Sequence, residues 1–204
     1  MKNTKNHILA VSLKLFLQKT FKEVTLKEII DKTGLSKGAF YHYFNSKEQL
    51  FYEIIDHFFH AIMNFDFNAL PSGSLRKFYR TYAEQANSQR FKFLVNEEGK
   101  EEDFITLNFF TLLFDAFRLF PAFRSNMEDY HQKELDAWVR VIGNARDSGE
   151  ISSPLTNLQI AQIFMFTSDG LTMNLTMEKN TGELNKKLAS LWDNFYATIK
   201  TNKP

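Results

Sequence analysis

The chain is predicted to be all-α, with a small N-terminal head and a larger helical body. Apolar residues recur at intervals of three and four along most of its 204 residues, the spacing that gathers them on one helical face. Strand-like alternation and internal repeats are absent from the sequence. One breaker cluster, Asn68-Ala-Leu-Pro-Ser-Gly-Ser74, marks a boundary between the two parts. With 44% hydrophobic residues the chain can fill a core.

Within the head, residues 25–47 read as two short helices around a tight turn and the start of a third. Thr25 and Glu28 form a T-x-x-E capping box, in which each side chain can satisfy a free backbone N–H. Leu26, Ile29 and Ile30 then follow at helical spacing. Thr33-Gly34-Leu35 breaks the pattern, with Gly34 free to take positive φ. Ser36 caps the second short helix, and Ser46 with Gln49 makes another capping box. A helix pair of this kind, its second member polar at the N-terminus, suits a DNA major groove.

The second short helix carries the chemistry. Ser36, Lys37 and Ala39 lie at its front, where side chains reach base edges. Gly38 projects nothing and allows close approach. Tyr41, His42 and Tyr43 supply hydroxyl and ring N–H donors for phosphate or base. Phe40 and Phe44, four residues apart, share a face directed to the core. Lys47 adds a cation in the first turn of the next helix.

From ILAVSLKLF at 8–16 to SKGAFYHYFNSKEQLFYEII at 36–55, the chain resembles the DNA-binding domain of the TetR family of bacterial transcriptional regulators (TetR/AcrR type). The resemblance spans the three-helix domain. It implies DNA contacts at Thr25, Ser36, Lys37, Ala39, Tyr41, His42, Tyr43 and Lys47. Thr20 stands where the family usually has glycine, so the first helix is expected to end differently. Ile30 replaces a usual alanine and widens the helix packing. The implied division is a helix-turn-helix DNA-binding domain over 1–47 and a ligand-binding and dimerisation domain over 48–204.

Charge is distributed to match. Residues 1–50 hold nine lysines against four acidic residues, a net +5, which leaves −4 for the rest of a chain of net +1. Lysine faces of this kind are often merely solvated. On a helix-turn-helix they favour phosphate. Every cation in that stretch is lysine, suited to point contacts more than to forked recognition of guanine.

The body is expected to continue in helices over about 47–64, 74–96, 103–119, 121–147, 154–177 and from 182 onward. Gly149 ends the long one, with Arg146 near that end as the helix dipole favours. Ser153-Pro154 opens the next, and Asn180-Thr-Gly182 separates it from the last. Leu184, Leu188, Leu191, Phe195 and Ile199 form a stripe that Trp192 widens, and Ile160, Ile163, Phe164, Thr167, Leu171 and Asn174 form a second. Such stripes pack on their own core or pair with a second copy in a four-helix bundle. The family resemblance favours a homodimer, because two recognition helices read a two-part operator.

Phenylalanine is abundant, 22 of 204 residues. Phe78, Tyr82, Phe109, Phe110, Phe114, Phe117 and Trp138 either line an apolar ligand cavity, as the resemblance implies, or fill a solid core. Glu53, His57 and His60 share a helical face, a spacing open to metal but more usual for packing. Glu128, His131 and Glu134 read as solvated pairs. The absence of cysteine excludes disulfides and thiolate chemistry. Neither a nucleotide-binding loop nor a nucleophile elbow is present, so neither an enzyme nor a cofactor is expected.

The apolar run at 104–123 is broken by Asn108, Asp115, Arg118 and Pro121, which argues against a membrane span. The N-terminus lacks a secretory h-region, and a cytoplasmic location is expected. Together these features describe a repressor that binds double-stranded operator DNA as a dimer and is released by a small apolar or aromatic effector. An activator, a carrier without DNA recognition and an enzyme using the aromatic body are the alternatives.

Overall fold

The computed structural model describes residues 2–91, 105–178 and 180–201. Helices run over α1 (Lys2–Gln18), α2 (Leu26–Thr33), α3 (Lys37–Tyr41), α4 (Lys47–Met63), α5 (Leu75–Phe91), α6 (Ile105–Leu119), α7 (Pro121–Asp147), α8 (Asn157–Met177) and α9 (Leu184–Ile199). Short 3-10 turns at Phe67–Ala69 and Thr181–Glu183 precede α5 and α9. Among the described residues the β-structure is one antiparallel bridge, Ile151 to Lys200. Residues 92–96 and 103–104, into which two expected helices extend, lie outside the described residues.

Most helix ends follow from local chemistry. The Thr25 side chain accepts the Glu28 N–H at 3.2 Å. Glu28 pairs with Lys19 at 2.5 Å instead of reaching back to the cap. Ser46 accepts the Gln49 N–H at 3.0 Å, and Gln49 Oε1 accepts the Asn45 N–H at 2.9 Å. The start of α8 differs from expectation: it begins at Asn157, three residues beyond Pro154. Thr156 and Gln159 form a reciprocal capping box there. Arg146 meanwhile donates to the carbonyls of Ser153 and Leu155 and to Asn157 Oδ1, holding the preceding segment as an irregular loop.

The chain divides into two compact units, Met1–Met63 with Phe93–Asn126, and Asn64–Lys92 with Met127–Pro204. In the first, α1 packs on α2, α4 and α6. Its core includes Ile8, Phe16, Ile29, Phe40, Phe44 and Phe51, with Leu112 and Ala116 from α6. Phe51 is central, its ring 4.8 Å from Phe16, 4.9 Å from Phe21 and 5.9 Å from Phe120.

The second unit is built on aromatic rings. Trp138 of α7 stacks on Phe164 of α8 at 4.9 Å, and Phe78 of α5 meets it edge-on at 4.8 Å. Trp192 of α9 closes the cluster and donates its indole N–H to the Phe164 carbonyl at 3.1 Å. At the start of α5, the Glu150 carboxylate accepts from the Leu75 and Arg76 amides and from the Ser74 and Tyr196 hydroxyls, all within 3.2 Å. A carboxylate at a helix N-terminus satisfies orphan donors and favours the dipole. Burial and the Glu150 carboxylate push the Tyr196 phenol up to about 12.

Further along, α5 and α9 are joined by Asp193, which accepts from Tyr79 at 2.5 Å and Arg80 at 2.6 Å. Burial raises the Asp193 carboxyl, but the hydrogen bonds from Tyr79 and Arg80 outweigh it and hold the group below its ordinary value. The resulting stability is present above the unfolded carboxylate pKa and is lost as pH falls through the lower folded value. Asp193→Asn should therefore cost about 1 kcal/mol at neutral pH, since the pair is partly exposed. In denaturant titrations this deficit should shrink steadily as the pH is lowered below about 4.

Candidate nucleic-acid interface

A five-residue helix such as α3 cannot persist in water by its own hydrogen bonds, so packing must hold it. Phe40 and Phe44 supply that packing, both fully buried with ring centroids 5.9 Å apart. The turn before them is set by Gly34, which caps α2 at φ +67°, a conformation that costs a side-chain-bearing residue more than glycine. His7 of α1 lies 3.2 Å from the Thr33 carbonyl through Nε2, tying the end of α2 to the core. Ser36 starts α3 by accepting the Ala39 N–H at 3.2 Å.

With Phe40 turned inward, the other side of α3 faces out. Ser36, Lys37 and His42 are exposed, Tyr41 is 39% exposed, and Ala39 and Tyr43 are half-buried. Lys37 Nζ lies 5.9 Å from the Tyr41 ring centroid, and the His42 and Tyr43 rings meet edge-on at 5.0 Å. A Cβ built on Gly38 would meet nothing within 4 Å. Internal packing therefore makes no demand for glycine at that position, and its bare Cα leaves the backbone open to approach from outside.

Two residues of the expected contact set are occupied differently. Thr25 is exposed, with its hydroxyl accepting at the α2 N-terminus. Lys47 is half-buried, and its ammonium donates to the carbonyls of Phe21 at 2.8 Å and Val24 at 2.7 Å. It also lies 4.3 Å from the Phe21 ring centroid.

The aromatic residues expected around a ligand fall into different units. Phe78, Tyr82 and Trp138 are buried in the second unit and pack ring against ring. Phe109, Phe110, Phe114 and Phe117 belong to α6 in the first unit. Of these Phe114 is 62% exposed and the others are half-buried. Sequence reasoning missed the buried polar pair beside the aromatic core: the Tyr82 hydroxyl donates to Glu134, which is only 3% exposed. Glu134 is thus no solvated surface carboxylate, although His131 lies 3.8 Å from it on the outer side. Among the described residues, the buried Trp138 indole N–H has no hydrogen-bond partner.

The two expected dimer stripes also divide. Ile160, Phe164, Leu184, Leu188 and Trp192 are buried within the second unit, where they join α8 to α9. Ile163, Thr167, Leu171 and Phe195 are half-buried, and Leu191 is exposed. The structure adds Leu158, Phe166, Met173 and Met177 as exposed apolar residues on α8. Phe166, 62% exposed, stands between grooves of about 570 and 430 Å³. Glu53, His57 and His60 border a groove of about 420 Å³ between α1 and α4, where Glu53 pairs with Lys5 at 2.6 Å. Among the described residues, no group of three or more acidic or histidine side chains is arranged to hold a metal ion. No described helix is long and apolar enough to cross a membrane.

Residues 8–54 match the family described as bacterial regulatory proteins, tetR family. The HTH-type transcriptional regulator YerO of Bacillus subtilis is 39% identical over 64 residues, 31% of this chain and 22% of that protein. YfiR, a regulator of the same type and organism, is 27% identical over 175 residues, 82% of this chain and 77% of its own. The chain thus aligns with about a fifth of YerO and about three quarters of YfiR. The crystal structure of reduced Escherichia coli NemR shares the fold, with a TM-score of 0.60, 22% identity, and coverage of 98% of this chain and 100% of that one.

Because Phe40 anchors the exposed face of α3, Phe40→Ala should destabilise the first unit by about 3–5 kcal/mol. Denaturant unfolding followed by circular dichroism should show that loss, whereas Tyr41→Ala should change stability by about 0.5 kcal/mol or less.

Proposed function

Residues 8–54 match the tetR family of bacterial regulatory proteins, and from that match we propose that the chain is a ligand-responsive transcriptional repressor acting as a homodimer on operator DNA. The observation carrying the proposal is the two-sided α3. Phe40 within it and Phe44 just beyond it are buried to the last atom, while Ser36, Lys37, Tyr41 and His42 are turned outward. Ser36, Lys37 and Ala39 then face base edges, and Thr25, Tyr41, His42 and Tyr43 supply polar contacts to phosphate or base. The lysine excess of the first fifty residues adds a sequence-independent attraction that weakens with salt.

A second copy is supported by α8. Asp169 is the single charged residue in its 21, and large apolar side chains grouped on an exposed helix surface favour burial against a partner. One side packs on α9, while Leu158, Phe166, Met173 and Met177 remain exposed. Pairing these faces about a two-fold axis would cover them and present two copies of α3 to a two-part site. In the body, the Tyr82–Glu134 pair and the unmet Trp138 N–H are polar groups able to orient an aromatic effector among apolar walls. Admission of a ligand there requires the packed rings to part. An effector that favours one arrangement of the body would release the operator, and operator and effector must weaken each other by the same factor.

Selection of randomised duplex DNA at moderate salt should recover an inverted repeat with half-sites roughly 34 Å apart or slightly more. Recovery of no preferred sequence by folded, ligand-free dimer would favour a carrier that has lost DNA recognition. Phe166→Glu should convert the dimer to monomer in light scattering and abolish tight operator binding. Retention of the dimer by this variant would place the interface elsewhere.

A further inference from the structure

We propose that Lys47 and Asp115 are positioning residues for DNA binding: from α4 and α6 they clamp the turn between α1 and α2, and Lys47 acts on backbone rather than on phosphate. The inference rests on the DNA-binding reading above, and it replaces the direct DNA contact that the family resemblance implies for Lys47.

The backbone of Phe21 is the centre of the clamp. Its N–H donates to Asp115 Oδ2 on α6 at 2.9 Å, across 94 positions of sequence. Its carbonyl accepts from Lys47 Nζ on α4 at 2.8 Å, and the same ammonium takes the Val24 carbonyl at 2.7 Å. The Phe21 ring lies against Phe16 and Phe51 and beneath Lys47 Nζ at 4.3 Å. Within the turn, Glu23 accepts the Thr20 N–H and hydroxyl, both at 2.8 Å. Asp115 Oδ1 is held in turn by Arg118 at 2.8 Å.

An ammonium has three N–H donors, and here two are directed to carbonyls while an aromatic face lies close by. A phosphate would have to compete with those partners. Charge-assisted hydrogen bonds to backbone are strong and directional, so this arrangement fixes the path of the chain into α2. Val24 immediately precedes Thr25, the N-cap of α2, and α2 leads through Gly34 into α3. Holding the carbonyls of Phe21 and Val24 therefore sets the direction of α2, and with it the direction of the exposed face of α3. Asp115 supplies the outside reference, because it belongs to α6 and joins that helix to the turn. Phe109 and Phe117, expected ligand residues, are on the same helix, so a ligand that displaces α6 acts on the turn through Asp115.

The two possible roles of Lys47 separate by salt dependence. Loss of a phosphate contact flattens the slope of log affinity against log salt by about 0.9 for each contact. Loss of a positioning contact weakens binding at every salt concentration and leaves the slope unchanged. Asp115 supplies the complementary sign. Removing an anion from a DNA-binding unit strengthens binding if only charge matters, whereas loss of the clamp weakens it.

The test uses full-length protein and a duplex from the selection, titrated at several salt concentrations. Circular dichroism and thermal unfolding confirm that each variant is folded at the assay temperature. Lys47→Met and Asp115→Ala are each expected to weaken binding by about tenfold or more, with the salt slope of the parent. Their combination should be little weaker than the worse single variant, because both open the same clamp. Asp115→Asn, which keeps an oxygen acceptor for the Phe21 N–H, should restore most of the affinity. A slope reduced by about 0.9 per head in Lys47→Met, or unchanged or tighter binding by Asp115→Ala, would overturn the inference and leave the DNA-binding reading standing. Failure of the parent protein to bind any selected duplex would overturn that reading, and the inference with it.

Discussion

Burial of Phe40 and Phe44 is the constraint on which the rest of the first unit depends. A helix of five residues has no cooperative stability of its own, so α3 exists where two phenylalanines find a core, and its other residues are displayed as a consequence. That core is completed by α1, α4 and α6, helices that contribute none of the outward polar face. The binding surface is therefore a product of packing behind it. Around the turn before α2, charged side chains perform a comparable service for the backbone. Lys47 and Asp115 satisfy carbonyl and amide groups of a loop whose aromatic ring is already committed to the core.

In the second unit the same division appears at larger scale. Trp138, Phe164 and Trp192 make a solid aromatic centre joining α7, α8 and α9. Glu150 and Asp193 tie α5 to its neighbours by accepting hydrogen bonds at helix ends and along the α5–α9 seam. Among the described residues, the buried side-chain polar atoms of this unit have partners except at Trp138, Ser168 and Thr172, as the cost of desolvation favours. Among the described residues of this unit, α8 holds four of the five exposed large apolar side chains, with Leu191 of α9 the fifth, and its near absence of charge makes it a poor water-facing element.

Much of this was legible along the chain. The break at Gly34, the caps at Thr25, Ser36 and Ser46, and the inward pair Phe40 and Phe44 are local features, governed by residues within four positions of one another. The long helix over 121–147 was read to the residue, because Pro121 and Gly149 bound it. The start of α8 was misplaced, since the Thr156–Gln159 box and the hold of Arg146 on the loop outweigh the signal of Ser153-Pro154. On α8 and α9, periodicity found apolar stripes but not which of them faces inward, because α8 carries large apolar residues on its exposed side as well as its buried one. Glu134 was read as solvated for a related reason: its partner Tyr82 is 52 positions away.

By itself, then, the sequence determined the all-helical class, the helix-turn-helix and the residues turned outward on α3. These depend on hydrogen bonds and side-chain spacing within a turn or two. Tertiary structure alone decided the tasks of side chains whose partners are distant. It gave the Lys47 ammonium two backbone carbonyls and matched Asp115 with an amide 94 residues away. It also selected which face of α8 is left uncovered. The physical reason is that a charged or apolar side chain states what it needs, but not which of many equivalent groups will satisfy it. That choice is made only when the packed chain brings one of them within reach.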